Sequence, residues 1–114
     1  MRMWMVDPTN LCRKHLLGEH GEIHKHRHNF VKKHRITNRI FPIVQIEPSS
    51  MEKRHDELAE EMIRRGFNHQ SPFEQPDISY LPLDQQNAKV DIENSIRDLK
   101  TRCPECAKNI KNKL

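Results

Sequence analysis

Apolar positions recur at helical spacing in three stretches of the chain and almost nowhere else. The clearest stretch follows Ser49-Ser50-Met51-Glu52, which has the form of a capping box. Met51, His55, Leu58 and Met62, with Ala59 and Ile63, form one stripe of a helix, and Gly66 after Arg64-Arg65 is the expected stop. Upstream, Asp7-Pro8 reads as a helix start, with Asp7 at the N-cap. Leu11, His15 and then Leu16 or Glu19 keep the period, and Gly18 and Gly21 weaken it. The pattern resumes near Glu22 and runs to about His34, marked sparsely by Ile23, Phe30 and Val31. A last helix is predicted from about Asp84 to Arg102, with Val90 or Ile92, Ile96 and Leu99 facing inward.

Between these stretches the period disappears. Ile40 to Ile46 is rich in β-branched residues, but prolines 42 and 48 confine it to a short strand or a packed loop. Phe67 to Pro82 is a proline-punctuated connector. Cys103 to Leu114 reads as a basic, frayed tail. The expectation is all-α: one compact domain over 1–114, with about three main helices joined by irregular loops.

Composition narrows the function. With 114 residues, 34% hydrophobic and 5% aromatic, the chain has a modest core and little room for a dry cofactor pocket, so no cofactor is expected. No apolar run approaches the ~20 residues needed to span a bilayer, and the start lacks a signal-peptide pattern. A soluble, cytoplasmic protein, bacterial or phage-encoded, follows as the expectation. Its odd number of cysteines, three, fits a reducing compartment.

Charge is concentrated. From Ile23 to Ile46 there is no acidic residue, while Lys25, Arg27, Lys32, Lys33, Arg35 and Arg39 supply six positive charges. Six against a net +4 leaves −2 for the rest of the chain. His24, His26, His28 and His34 can add to the patch at lower pH. Such a stretch suits phosphate binding, although it also reads as a solvated charged face.

Chemistry-bearing motifs are few. No phosphate loop, G-x-S-x-G elbow or H-E-x-x-H occurs. Glu22 is the last carboxylate before the basic stretch, with Glu19 three residues earlier on a similar helix face. Spacing alone leaves Glu22 an ordinary helix-surface glutamate. Cys103-x-x-Cys106 has the spacing of half a zinc site. His20, His24, His26, His28 or Cys12 could complete it only through tertiary contact, and free thiols are the simpler reading. Trp4, Phe30, Phe41 and Phe67 could stack on a base or fill the core.

Blocks in register add a resemblance. Met1-Arg2-Met3-Trp4, Pro8 and Leu11, Leu16-Leu17-Gly18-Glu19-His20-Gly21-Glu22-Ile23, Val31-Lys32-Lys33-His34, Lys53-Arg54-His55 and Arg65-Gly66-Phe67-Asn68 resemble the pyrimidine-dimer DNA glycosylase (endonuclease V-like) family. The likeness runs in order from residue 1 to about 68. It implies a DNA N-glycosylase with AP-lyase activity on damaged pyrimidines. The nucleophile would be the α-amine of Met1, which the bulky Arg2 protects from removal, and Glu22 would be the catalytic carboxylate. It further implies DNA contacts by Arg2, His15 and Lys25, to which the basic stretch adds Arg27, Lys32, Lys33 and Arg35, with Trp4 a base-stacking candidate. The partner would be double-stranded DNA carrying a damaged base or an abasic site, bound by a monomer. Two departures stand out. Gly21 occupies the place of a family arginine, and the tail has no aromatic residue where an aromatic tail is linked to dimer recognition, so the lesion stays open. A catalytically inert nucleic-acid-binding protein on the same scaffold is the alternative.

Overall fold

The longest helix forms in spite of its two glycines. In the computed structural model, which describes residues 3–68 and 72–111, α1 runs without a break over Arg13–Val31. Each interior glycine costs a helix roughly 0.5–1 kcal/mol relative to alanine. Burial of one face outweighs that cost, because tertiary packing of a helix face, more than propensity, decides helix formation in a domain. The buried row is Leu16, Glu19, Ile23, His26 and Phe30, an alternating spacing of three and four. Two of its members are polar, which is why the apolar marks looked sparse. The helix therefore neither starts at Pro8 nor restarts at Glu22. Asp7 instead caps a short 3-10 turn, Pro8–Asn10, by accepting from the Thr9 N–H at 3.0 Å.

α1 leaves through a left-handed residue, Lys33, at φ 57°. The His34 N–H reaches Asn29 O at 2.9 Å and the Lys33 N–H reaches Phe30 O at 3.0 Å, closing the helix end. Val31 is exposed and lies outside the core. A single turn, α2 (Thr37–Ile40), follows and buries Ile40. Residues 41–47 form no strand. The chain bends at 41–43, with the Gln45 N–H returning to Arg39 O at 2.7 Å, and then meets the N-terminal arm, where the Met3 N–H donates to Gln45 O at 2.7 Å.

α3 (Met51–Arg64) packs on α1 and buries Met51, Arg54, His55, Leu58, Ala59 and Met62. The predicted stripe holds except for Ile63, which is 59% exposed. The capping box does not form: Ser50 occupies the N-cap without a side-chain bond. A residue distant in sequence replaces it, with Gln75 Oε1 accepting from the Glu52 N–H at 3.0 Å. Gly66, at φ 88°, ends the helix as expected. The Phe67 N–H bonds Met62 O and the Gly66 N–H bonds Ile63 O, both at 2.9 Å.

The last predicted helix is two. α4 (Leu83–Gln86) stops at Asn87, and α5 spans Ile92–Arg102 with Asp91 accepting from the Asn94 N–H at 3.1 Å. The intervening Val90 is buried, and its N–H donates to the buried Glu47 carboxylate at 2.7 Å. Ile92 faces out, whereas Leu99 reaches the core. The tail also differs from expectation. Pro104–Lys111 forms α6, which buries Cys106 and Ile110 against α5 and the 3-10 turn. Residues 112–114 lie outside the described residues. The described residues are helical with no strand, as an all-α domain requires, and α1, α3 and α5 are its three long helices.

Candidate active site and DNA-facing surface

The site grows from the seam between α1, α3 and the N-terminal arm. Two arginines, Arg54 within α3 and Arg65 at its C-cap, hold that arm by its backbone. Arg54 donates to Val6 O at 2.7 Å, and Arg65 donates to Leu11 O at 2.7 Å and to Pro8 O at 3.2 Å. Each is fixed in turn by a buried carboxylate. Glu19 accepts from Arg54 Nε at 2.6 Å and from its Nη2 at 2.9 Å. Glu61 accepts from Arg65 Nε at 2.6 Å, and its pKa is lowered by its hydrogen bond from Arg64 first and by Arg65 beside it. Breaking a buried pair of the Glu19–Arg54 kind leaves an uncompensated charge, a loss of about 3–5 kcal/mol. Glu19 is thus a structural anchor, although it lies one turn from Glu22.

Met3, fully buried, completes the arm's anchorage: its Sδ accepts from the Glu47 N–H at 3.3 Å. Met1 and Arg2, the predicted nucleophile and its neighbour, lie outside the described residues.

Glu22 stands on α1 with its side chain 25% exposed. Its Oε2 is buried and has no hydrogen-bond partner among the described residues. Among the described residues, His26 Nε2 lies 3.9 Å from it. That distance is too long for a hydrogen bond, and His26 is not a cation near neutral pH. Burial first, then the charges of Arg39 and Lys25, push its pKa down to about 4. Neither ring nitrogen of His26 has a partner among the described residues. A carboxyl oxygen held dry beside a neutral imidazole is costly to leave unpartnered, and such groups in native structures call for an explanation.

The histidines of the acid-free stretch divide. His28 and His34 are exposed, whereas His24 turns toward α3. There the rings of His20, His24 and His55 gather, with centroids 4.7–4.8 Å apart and Phe73 stacked on His55 at 5.0 Å. Beside them a cleft of about 510 Å³ opens between His24, Arg27, His28 and Phe73.

The basic residues divide as well. Lys25, Lys32, Lys33 and Arg35 are exposed. Arg27 is partly committed inside the protein: its Nε donates to Glu74 O at 2.7 Å, and its guanidinium lies 5.9 Å from the Phe73 ring centre. Arg39, half-buried, is placed by Gln45, whose N–H donates to Arg39 O at 2.7 Å.

Of the four aromatic candidates, Phe30 is in the core and Phe67 is half-buried under Arg13. Trp4 is half-buried, edge-on to His15 with centroids 5.7 Å apart. Phe41 is 51% exposed and Ile43 56%, two residues and four residues after Arg39. His15, expected at the DNA, aims Nδ1 at sulfur: Cys12 Sγ at 3.2 Å and Cys106 Sγ at 3.4 Å.

Sequence reasoning missed His26, Arg54 and Arg65. His26 and Arg54 carry polar side chains into buried positions and Arg65 into a half-buried one, so no hydrophobic pattern marks them. The only signal was their place in the helical period, since 19, 23 and 26 share a face, as do 51, 54, 58 and 62.

The sequence profile of the pyrimidine dimer DNA glycosylase family matches residues 1–75. No curated protein and no solved structure matches the chain significantly. The matched region contains α1, α2, α3 and the anchored arm, and stops before α4, α5 and α6.

Proposed function

Because the chain belongs to the pyrimidine dimer DNA glycosylase family, we propose that it excises a damaged pyrimidine and then nicks the strand, using the α-amine of Met1 and the carboxyl group of Glu22. The single observation that carries this reading is the Glu22 carboxyl oxygen, buried and without a hydrogen-bond partner among the described residues, on a helix whose outer side is basic. A carboxylate there repels phosphate, so its retention on a DNA-binding surface favours a chemical role. The anchorage of the arm supports the choice of nucleophile. Met3 is fixed by Gln45 and Glu47, and two residues, about 7 Å of extended chain, separate it from the α-amine.

An α-amine has a pKa of about 7.7–8.0, so a useful fraction is neutral near physiological pH. The neutral amine adds to C1′ while the bond to the base breaks, and the base leaves with the bonding pair and takes up a proton. Opening of the sugar ring gives an imine. The imine acidifies the C2′ proton. Its removal drives cleavage of the C3′–O bond, and the phosphate leaves. Water hydrolyses the imine to restore the amine. Glu22 would stabilise the cationic sugar as it develops and then carry protons for imine formation and elimination.

Arg2, Lys25, Lys32, Lys33 and Arg35 would hold phosphates, with Arg27 contributing from the rim of its cleft. Phe41 is the aromatic best placed to press on a base, being exposed within the acid-free stretch. Arg39, two residues before it, is near enough to act on His26, the neighbour of Glu22. Trp4, edge-on to His15, is the second stacking candidate. The enzyme would act on duplex DNA as a monomer and flip the target nucleotide.

The test is borohydride trapping on abasic-site DNA, which reduces the imine to a stable crosslink. Protein with a free N-terminus should crosslink, and protein with an acetylated or extended N-terminus should not. Equal trapping by both forms removes Met1 from the mechanism. Glu22→Gln should keep its DNA affinity and lose at least about 100-fold in cleavage, the usual scale for a proton-transfer group. Binding without trapping by any form would favour the inert DNA-binding reading.

A further inference from the structure

Two pairs of potential metal ligands, each with two residues between, meet at one point. Cys12-x-x-His15 opens α1, and Cys103-x-x-Cys106 spans the junction of α5 and α6. The three sulfurs and a ring nitrogen of His15 all lie within 4.8 Å of one another. We propose that Cys12, His15, Cys103 and Cys106 form a structural zinc site.

The distances discriminate between a metal cage and a chance cluster. A tetrahedral zinc with Zn–S of about 2.3 Å and Zn–N of about 2.0–2.1 Å places its sulfurs roughly 3.8 Å apart and each sulfur roughly 3.6 Å from the nitrogen. Cys12 Sγ and Cys103 Sγ are 3.8 Å apart. His15 Nδ1 is 3.2 Å from Cys12 Sγ and 3.4 Å from Cys106 Sγ. A disulfide needs sulfurs at about 2.05 Å, so the sulfur spacing fits shared ligation and no pairwise bond.

The surroundings suit thiolates. The Cys12 N–H donates to Cys106 Sγ at 3.2 Å, and the Cys106 N–H lies 3.5 Å from Cys103 Sγ. Cys12 is the N-cap of a nineteen-residue helix, where the positive end of the dipole favours a thiolate. Cys12 and Cys106 are buried, and His15 is fixed edge-on by Trp4. Four protein ligands fill the coordination sphere, which marks a structural site and leaves no open position for a substrate.

The site has a clear mechanical role. It would join residues 91 apart in sequence, Cys12 and Cys103, and bind α6 to the start of α1. A further polar link between α6 and the arm is a long bond from Asn109 Nδ2 to Asn10 O at 3.4 Å. Cys12 and His15 lie within the family match of residues 1–75, and Cys103 and Cys106 lie beyond it. His15 would then serve the metal and hold Trp4, in place of contacting DNA.

The test uses the full chain without a histidine tag, purified under reducing conditions. Elemental analysis should find one equivalent of cysteine-dependent zinc, lost in the double variant Cys103→Ser, Cys106→Ser. If that variant does not fold, the wild-type chain still decides. After zinc is stripped, Co(II) should produce the intense visible bands of a tetrahedral site together with sulfur-to-cobalt charge transfer. These should saturate at one equivalent and vanish on addition of one equivalent of Zn(II). Only cysteine ligands give the charge-transfer band, so ions held by His20, His24 and His55 do not mimic it. His15→Cys should retain the metal and shift the cobalt spectrum toward a four-sulfur site. No cysteine-dependent zinc with no charge-transfer band, or a Cys12–Cys103 disulfide under reducing conditions, overturns the proposal. A cobalt spectrum unchanged by His15→Cys overturns the four-ligand set. Loss of the zinc site leaves the Schiff-base reading standing, since none of the trapping experiments reads metal.

Discussion

At the scale of single residues, the site depends on polar groups placed where the helical period calls for apolar ones. Glu19 and His26 sit in the buried row of α1, and Arg54 in that of α3. The pair Glu19–Arg54 satisfies its own charges, whereas His26 meets burial by staying neutral. Its pKa falls from 6.5 to about 4 on folding, and the sign of the consequence follows directly. Between those values the unfolded chain holds more protons than the folded one, so stability rises with pH across that window. The contribution is complete above about pH 6.5 and lost progressively as pH falls to about 4, a change of about 3 kcal/mol at most. His26→Leu should therefore flatten the pH dependence of the urea midpoint in this window relative to wild type. Parallel curves for the two proteins would show that His26 does not carry the effect. Glu22 itself was legible only through its neighbours in sequence, because a glutamate on a helix surface has no distinctive pattern. What singles it out in the fold is a buried oxygen with no hydrogen-bond partner among the described residues, which depends on which side chains the packing brings near.

At the scale of elements, periodicity located α3 to within its ends because its stripe is apolar and its stop is a glycine that needs φ 88°. It divided α1 wrongly because two glycines and two buried polar residues hide a continuous helix. The start of α3 was misassigned for a different reason: its cap comes from Gln75, which no local pattern can announce. A Cβ built on Gly18 or Gly21 meets nothing within 4 Å, so neither is required by packing within the protein. Both lie on the exposed side of the helix, and Gly21 adjoins Glu22. Close approach of a DNA backbone is a reason to keep a helix surface bare there. Gly18→Ala and Gly21→Ala should each raise stability by roughly 0.5–1 kcal/mol. Gly21→Ala should also weaken binding to abasic-site DNA, as measured by titration at fixed salt. A gain in stability with unchanged affinity would leave the glycine without a DNA-facing role, and a loss of stability would contradict the open geometry of the helix surface.

At the scale of the whole molecule, the two packed helices turn opposite charges outward. The exposed positions of α1 include Arg13, Lys14 and Lys25 and no carboxylate, and Lys32, Lys33 and Arg35 continue the series beyond its end. The exposed positions of α3 carry the carboxylates Glu52, Asp56 and Glu60 against the cations Lys53 and Arg64, a balance on the acidic side. The concentrated patch was legible in the sequence as a run without acids. Its separation from the acidic side was not, because it depends on α1 and α3 packing through their inner rows. The molecule is also flat, 41 × 33 × 17 Å, so one broad side can present cations while the other does not. DNA should bind with its phosphates against the α1 side, and salt dependence can test that orientation. Each phosphate neutralised contributes about 0.9 to the slope of log K against log salt. The pair Lys32→Gln, Lys33→Gln should lower that slope by about 2 and weaken binding at every salt concentration. The pair Glu52→Gln, Glu60→Gln changes net charge by the same amount in the opposite sense. It should leave the slope unaltered, because counterions are released only where cations meet phosphates. An equal response to the two pairs would mean that total charge governs binding, and the orientation assigned here would fall.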